Sequence, residues 1–258
     1  MRKILILFLF LSGWTNLQVY SQIPCANAEA NSTAGDLEKH VYKTYLDKKG
    51  NEKELHIGLA RPVDKLPAKK RPLIIGVHGG GFMDFCPFEP CYARFSENVL
   101  TRHFTPQGFL TASVQYRLTS PFDFKPPRIK DETLRETHYK ATQDARDAIK
   151  FIFENAEKFG VDTKNVFLVG TSAGAITALH AAYLDGAEVP EDLSKKYGAL
   201  AKREKISGVI SLSGAVYDLS YLKNEQTPLM LVHGNEDFIV PPDKGFYFGL
   251  KHLTPVFG

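Results

Sequence analysis

Cysteine is scarce in this chain, with three residues among 258. So small a number excludes a disulfide-scaffolded fold, and no Cys or His pair has the spacing of a zinc site. Excess charge is missing as well. The 32 Lys and Arg residues nearly balance 29 Asp and Glu, leaving a formal net charge of +3. No basic block of the kind that tracks phosphates runs through the sequence, so nucleic acid is not an expected partner. Long apolar runs are absent too. Nothing approaches the roughly 20 residues that cross a bilayer, so no stable membrane insertion is expected once the N-terminus is processed. There is no internal repeat, low-complexity tract or interdomain linker. What remains is an ordinary globular balance in a length that suits one α/β domain and a large core.

The first residues read as an export signal. Arg2 and Lys3 precede the short apolar run Ile4 to Leu11, and a more polar stretch ends near Tyr20-Ser21-Gln22. Cleavage after Gln22 is expected, which leaves residues 23–258 as the mature domain in a secreted or periplasmic location. Export permits disulfides. Cys86 and Cys91 lie in one Pro-rich loop, where a local bridge and two free thiols are both open readings, and Cys25 is left over. The residues before Cys25 do not form a lipoprotein box.

Alternating runs at His40–Asp47 and Glu54–Ala60 flank Lys48-Lys49-Gly50-Asn51 and predict an antiparallel hairpin. Leu73–His78, Phe109–Gln115, Val166–Val169, Val209–Ser213 and Leu229–His233 read as strands. Arg135–Phe159 has helical spacing, with Ala141, Ala145, Ala148, Ile149 and Ile152 on one side and Gly160 at its end. Ala173–Leu184 and Pro242–Leu253 read as further helices. Ser120–Asp131 is irregular, and Gly186–Lys205 is a charged excursion with a helical part. Strands alternating with helices predict a mostly parallel sheet covered on both faces.

Three segments carry chemistry. Gly170-Thr171-Ser172-Ala173-Gly174 stands between a strand and a helix. A serine there makes a sharp turn that exposes its hydroxyl above the sheet, while the new helix points N–H groups at developing negative charge. His78-Gly79-Gly80-Gly81-Phe82 ends an earlier strand, where bare glycine backbone lets N–H groups reach a substrate oxygen. Gly80, Gly81 and Ala173 are the expected oxyanion donors, and His78 is expected to stabilise the loop. In His233-Gly234-Asn235-Glu236-Asp237, Asp237 follows a strand end and suits the acid that orients a histidine. Asp218 and Glu236 are the second and third candidates.

With these segments the chain resembles the α/β-hydrolase superfamily, in its bacterial carboxylesterase and feruloyl-esterase-like branch. Ser113-Val114-Gln115-Tyr116-Arg117-Leu118 and Gln143-Asp144-Ala145-Arg146-Asp147-Ala148 are similar to two further family segments. The resemblance implies an α/β-hydrolase fold and a serine carboxylesterase acting on small or aromatic esters. It implies Ser172 as nucleophile, Asp237 as acid, Gly80, Gly81 and Ala173 as oxyanion hole, and neither metal nor organic cofactor. Lipase, polyester depolymerase and serine peptidase activities use the same scaffold and stay open. Phe82, Phe85, Phe88, Tyr92 and Phe95 either line an aromatic-ester pocket or pack under the loop.

One family feature is out of place. The order serine, acid, histidine calls for a histidine beyond one more helix and strand. Only His252 follows Asp237, and it falls within the helix expected over Pro242–Leu253. It would act as base only if that helix were broken and folded back. The expectation is therefore a domain incomplete at its C-terminus, lacking the last strand and the histidine loop. The competing expectation is a catalytically weak or ligand-binding relative.

Overall fold

The computed structural model describes residues 37–62, 70–83, 100–120, 128–223 and 225–258. The export signal, all three cysteines, and Phe85, Phe88, Tyr92 and Phe95 lie outside the described residues, as do most of Ser120–Asp131.

The predicted hairpin forms from β1 (Glu38–Leu46) and β2 (Glu52–Ala60), paired with Glu38 opposite Leu59 and Leu46 opposite Glu52. β1 alternates between exposed and half-buried positions because it is an edge strand. β2 turns inward along its length, and Leu55, Ile57, Leu59 and Ala60 are buried. It runs antiparallel to β4 (Leu110–Val114). From there the sheet is parallel: β3 (Arg71–Val77) pairs with β4 and β5 (Val161–Thr171), β5 with β6 (Gly208–Leu212), and β6 with β7 (Leu229–Val232). The seven strands lie in the order β1-β2-β4-β3-β5-β6-β7. The central strands β3 and β4 are almost wholly buried, which is why they read as apolar runs without alternation.

Helix α1 (Asp131–Glu154) presents Leu134, Ala141, Ala145, Ala148, Ile149 and Ile152 to the core. All but Leu134, which precedes the expected start at Arg135, form the face read from the sequence, and Gly160 in the left-handed region ends the short turn that follows. Helix α2 (Ala173–Tyr183) is buried at every residue, because it is wedged between the sheet and α1. Helix α3 (Glu191–Tyr197) is the helical part of the charged excursion.

The helix expected over Pro242–Leu253 does not form. Pro241 and Pro242 open the segment, Gly245 and Gly249 interrupt it, and Phe248 stands at φ 56°, ψ 18°. These residues carry little helix propensity, and tertiary burial decides their path instead. β8 (Lys244–Gly245) pairs antiparallel with β9 (Val256–Phe257), and Val216 and Phe257 exchange two backbone hydrogen bonds of 2.9 Å. Val240, Tyr247, Leu253 and Val256 are the buried anchors.

Candidate active site

The loops after β3, β5, β6 and β7 all leave the carboxyl edge of the parallel strands, where sites of α/β sheets are built. Ser172 lies between β5 and α2 at φ 52°, ψ −121°. A non-glycine residue there is strained by about 1–3 kcal/mol. The surroundings impose it: Ser172 N–H donates to the Leu212 carbonyl at 2.8 Å, and its own carbonyl accepts from Ile176 N–H at 3.0 Å. Close packing also fixes the flanking residues. A Cβ on Gly170 would sit 2.3 Å from the Gly174 carbonyl oxygen, and one on Gly174 would sit 2.1 Å from that of Val77. The Ser172 side chain does not cap its own helix, so its hydroxyl is free for other work.

The glycine loop lies directly against this elbow. A Cβ on Gly79 would meet the Thr171 carbonyl oxygen at 2.8 Å and the Ser172 Cβ at 3.5 Å. Gly80 and Gly81 follow with φ of 110° and 61°, a region open to glycine at low cost. Phe82 shares that region at φ 61° and is pinned by its carbonyl, which accepts from Thr119 N–H at 2.7 Å. Among the described residues, none accepts a hydrogen bond from the N–H of Gly80, Gly81 or Ala173.

His78 is buried behind the loop, with its ring stacked on Tyr116 at 4.4 Å. Its Nδ1 donates to the Gly79 carbonyl at 2.7 Å, and burial pushes its pKa down to about 4. The Tyr116 hydroxyl donates to the His78 carbonyl at 2.7 Å. The adjacent Arg117 sends both its backbone N–H and its Nε to one oxygen of Asp144, at 2.9 and 2.8 Å. Lys43 holds the other oxygen at 2.7 Å, and Asp144 is fully buried. Two residues on, Arg146 donates to the carbonyls of Ala181 and Leu184, the last residues around the α2 terminus. The Tyr-Arg and Gln-Asp-Ala-Arg segments thus lock the loop and the nucleophile helix to α1. The sequence singled out these residues but not this task, whose partners lie up to 101 residues apart.

Asp237 lies in the loop after β7. One carboxylate oxygen caps the turn by accepting from Ile239 N–H at 2.9 Å and Val240 N–H at 3.0 Å. The other is 3.6 Å from His233 Nε2, which donates to the Val240 carbonyl at 2.9 Å. Strand β6 separates this loop from the elbow: Ser172 bonds Leu212, and Ser213 bonds Val232. Asp218 caps the turn after β6 through Ser220 N–H at 2.8 Å. Glu236 is exposed. The structure therefore brings Gly79, which leads into Gly80 and Gly81, against Ser172, and leaves Asp237 one strand away.

All eight histidines fall within the described residues, and none hydrogen-bonds the Ser172 hydroxyl. His252 lies in a turn, not a helix, and its Nε2 bonds the Ile129 carbonyl at 2.9 Å. His180 is buried in α2 with Nδ1 on the Ile176 carbonyl at 2.7 Å. Among the described residues there is no group of three His, Cys, Asp or Glu placed to hold a metal, and no helix long and apolar enough to cross a membrane.

The family model BD-FAE matches residues 63–219, a window that contains the glycine loop and Ser172 and ends before Asp237. Probable carboxylesterase 1 of Arabidopsis thaliana is 29% identical over 206 residues, covering 75% of this chain and 56% of that protein. Probable carboxylesterase 5 of the same plant is 32% identical over 165 residues, covering 60% and 46%. The chain thus spans about half the length of these curated relatives. The native structure of esterase 2 from Thermogutta terrifontis superposes with a TM-score of 0.54 at 21% identity, covering 80% of this chain and 73% of that one. That likeness is one of fold.

Proposed function

The chain belongs to the BD-FAE family and has the α/β-hydrolase fold, and from that premise we propose that it is a serine hydrolase of small or aromatic carboxylic esters. One observation carries the reading: the strained, uncapped Ser172 lies against a glycine loop whose backbone N–H groups have no described acceptor. Ser172 Oγ attacks the ester carbonyl and gives up its proton to a general base, a place that none of the eight histidines fills by a hydrogen bond to Ser172, and Asp237 is the acid proposed to orient that base. The N–H groups of Gly80, Gly81 and Ala173 hold the oxyanion. The alcohol leaves with the proton, and water then releases the acid from the acyl-enzyme. Names of curated relatives support an ester substrate. Neither metal nor organic cofactor takes part in this scheme.

A fluorophosphonate probe tests it. The expected result is one adduct on Ser172, lost in Ser172→Ala, together with cleavage of p-nitrophenyl acyl esters or a hydroxycinnamate ester. Absence of both adduct and turnover would make the protein a ligand-binding relative. Peptide cleavage without ester cleavage would make it a peptidase.

Export is part of the same proposal, supported by Arg2, Lys3 and the apolar run Ile4 to Leu11. Protein recovered from the periplasm or medium should begin at Ile23. Recovery with Met1 in the cytoplasm would sink that part.

A further inference from the structure

A cavity of about 330 Å³ lies between α1, α2 and the loop after β6, a size in the range of small-molecule sites. Tyr139, Tyr221 and Leu193 supply an apolar and aromatic wall. His138 from α1, His180 from α2 and Tyr217 adjoin it, with ring centroids 5.3 to 6.2 Å apart, and Arg135 and Asp218 are the charged residues of the lining. Both histidines are only 3% exposed.

Hydrogen-bond accounting makes this wall unusual. His180 Nδ1 faces the Ile176 carbonyl at 2.7 Å. A carbonyl only accepts, so Nδ1 carries the proton and Nε2 of the neutral ring is a bare acceptor. Among the described residues Nε2 has no hydrogen-bond partner, nor does either nitrogen of His138, nor the Tyr217 hydroxyl. Buried polar atoms are ordinarily satisfied, so four unsatisfied ones on three adjoining rings call for an explanation. Burial pushes the His180 pKa down to about 4, and burial together with His180 holds that of His138 well below its ordinary value. Both rings are therefore neutral near pH 7. The neutral pair offers no countercharge to a carboxylate or phosphate, and of the two charged residues in the lining Arg135 already pairs with Asp192 at 3.5 Å while Asp218 repels an anion. A bare Nε2 calls instead for a hydroxyl donor, and the aromatic wall calls for an apolar body.

The cavity is apart from the nucleophile. His180 stands eight residues beyond Ser172 on α2, roughly 12 Å along the axis. It nonetheless touches the catalytic loop through one ring, since Phe82 lies 4.5 Å from His138.

We propose that this cavity is a second, non-catalytic site for a neutral phenol or alcohol, whose hydroxyl is taken up by His180 and His138. The proposal does not depend on esterase activity. Calorimetry of the whole chain with phenol, toluene and benzoate tests it. Phenol should bind at millimolar concentration or tighter. Toluene, which lacks the hydroxyl, should bind at least about tenfold more weakly, as expected for one lost hydrogen bond, and benzoate should not bind. His180→Phe keeps the ring and deletes the acceptor, so it should erase the preference for phenol over toluene. Leu193→Trp fills the cavity and should abolish binding of both, with a preserved Tm showing that the variant folds. Absence of phenol binding would overturn the proposal, as would equal binding of toluene or benzoate. Phenol binding undiminished in both variants would also overturn it.

Discussion

The Tyr116 hydroxyl donates to the carbonyl of His78 at 2.7 Å, and that same carbonyl oxygen lies 2.5 Å from where a Cβ on Gly174 would stand. The peptide entering the glycine loop is thus held from both sides, by a phenol and by the close approach of the nucleophile helix. Its orientation sets where the N–H groups of Gly80 and Gly81 point. Tyr116→Phe keeps the ring stack on His78 and removes only the hydroxyl. Loss of a whole oxyanion donor costs about a hundredfold to a thousandfold in kcat, and a loosened loop should cost less, about tenfold. KM for a p-nitrophenyl ester should barely change, because the carbonyl is gripped mainly in the transition state. A loss confined to KM would place Tyr116 in substrate binding instead.

Gly174→Ala should be far more damaging to the fold. Its methyl would fall 2.1 Å from the Val77 carbonyl oxygen and 2.5 Å from that of His78. Both atoms are backbone of β3 and the loop beyond it, so no rotamer change relieves the clash. Overpacking of this kind typically costs about 1–3 kcal/mol, and rigid backbone on both sides argues for the upper end. A urea midpoint within error of the parent would refute the close approach.

Asp144→Ala tests the anchor behind Tyr116. The carboxylate is fully buried and takes Arg117 on one oxygen and Lys43 on the other. Removing it strips the partly buried Arg117 of its carboxylate and leaves Lys43 with Asp147 alone, at 2.6 Å. Breaking a buried pair in this way costs about 3–5 kcal/mol, and the part exposure of Lys43 and Arg117 argues for the lower end. Chemical unfolding would measure it. Asp144→Asn should cost less, since its carbonyl oxygen still accepts from Arg117.

The parts of this fold that the sequence disclosed are those whose reason is local. Leu73–His78 and Val166–Val169 read as strands because β3 and β5 bury apolar runs in the sheet. α1 read as a helix because Ala141, Ala145 and Ala148 recur on one face. The elbow read clearly because Gly170 and Gly174 are demanded by contacts within one turn and its neighbouring strand. The segment from Pro242 to Leu253 misled because its anchors are distant: Phe257 pairs with Val216, and Thr254 bonds Asp131 from 123 residues away. No local pattern encodes such contacts. The role of Tyr116 was hidden for the same reason, as was the meeting of His138 with His180 across two helices.

Three buried histidines should make the protein acid-sensitive in a defined window. Burial pushes the pKa of His78 and of His180 from the ordinary 6.5 down to about 4, and holds that of His138 well below its ordinary value. Unfolding returns each ring to water and to an ordinary pKa. Between these limits the unfolded chain binds protons that the folded chain refuses. Stability from this source is therefore complete above about pH 6.5 and is lost as pH falls toward about 4. Each histidine contributes at most about 1.4 kcal/mol per pH unit to the slope. Carboxylates titrate in the lower part of the same range, so the variant difference is the informative quantity. His180→Phe removes one titrating ring and one unsatisfied nitrogen while keeping the ring volume. Urea unfolding from about pH 7 to about pH 4.5 should show a shallower loss of stability in His180→Phe than in the parent, by up to one histidine's share. Parallel curves would mean that His180 is protonated in the folded state, and that its Nε2 is not the bare acceptor which the Ile176 contact implies.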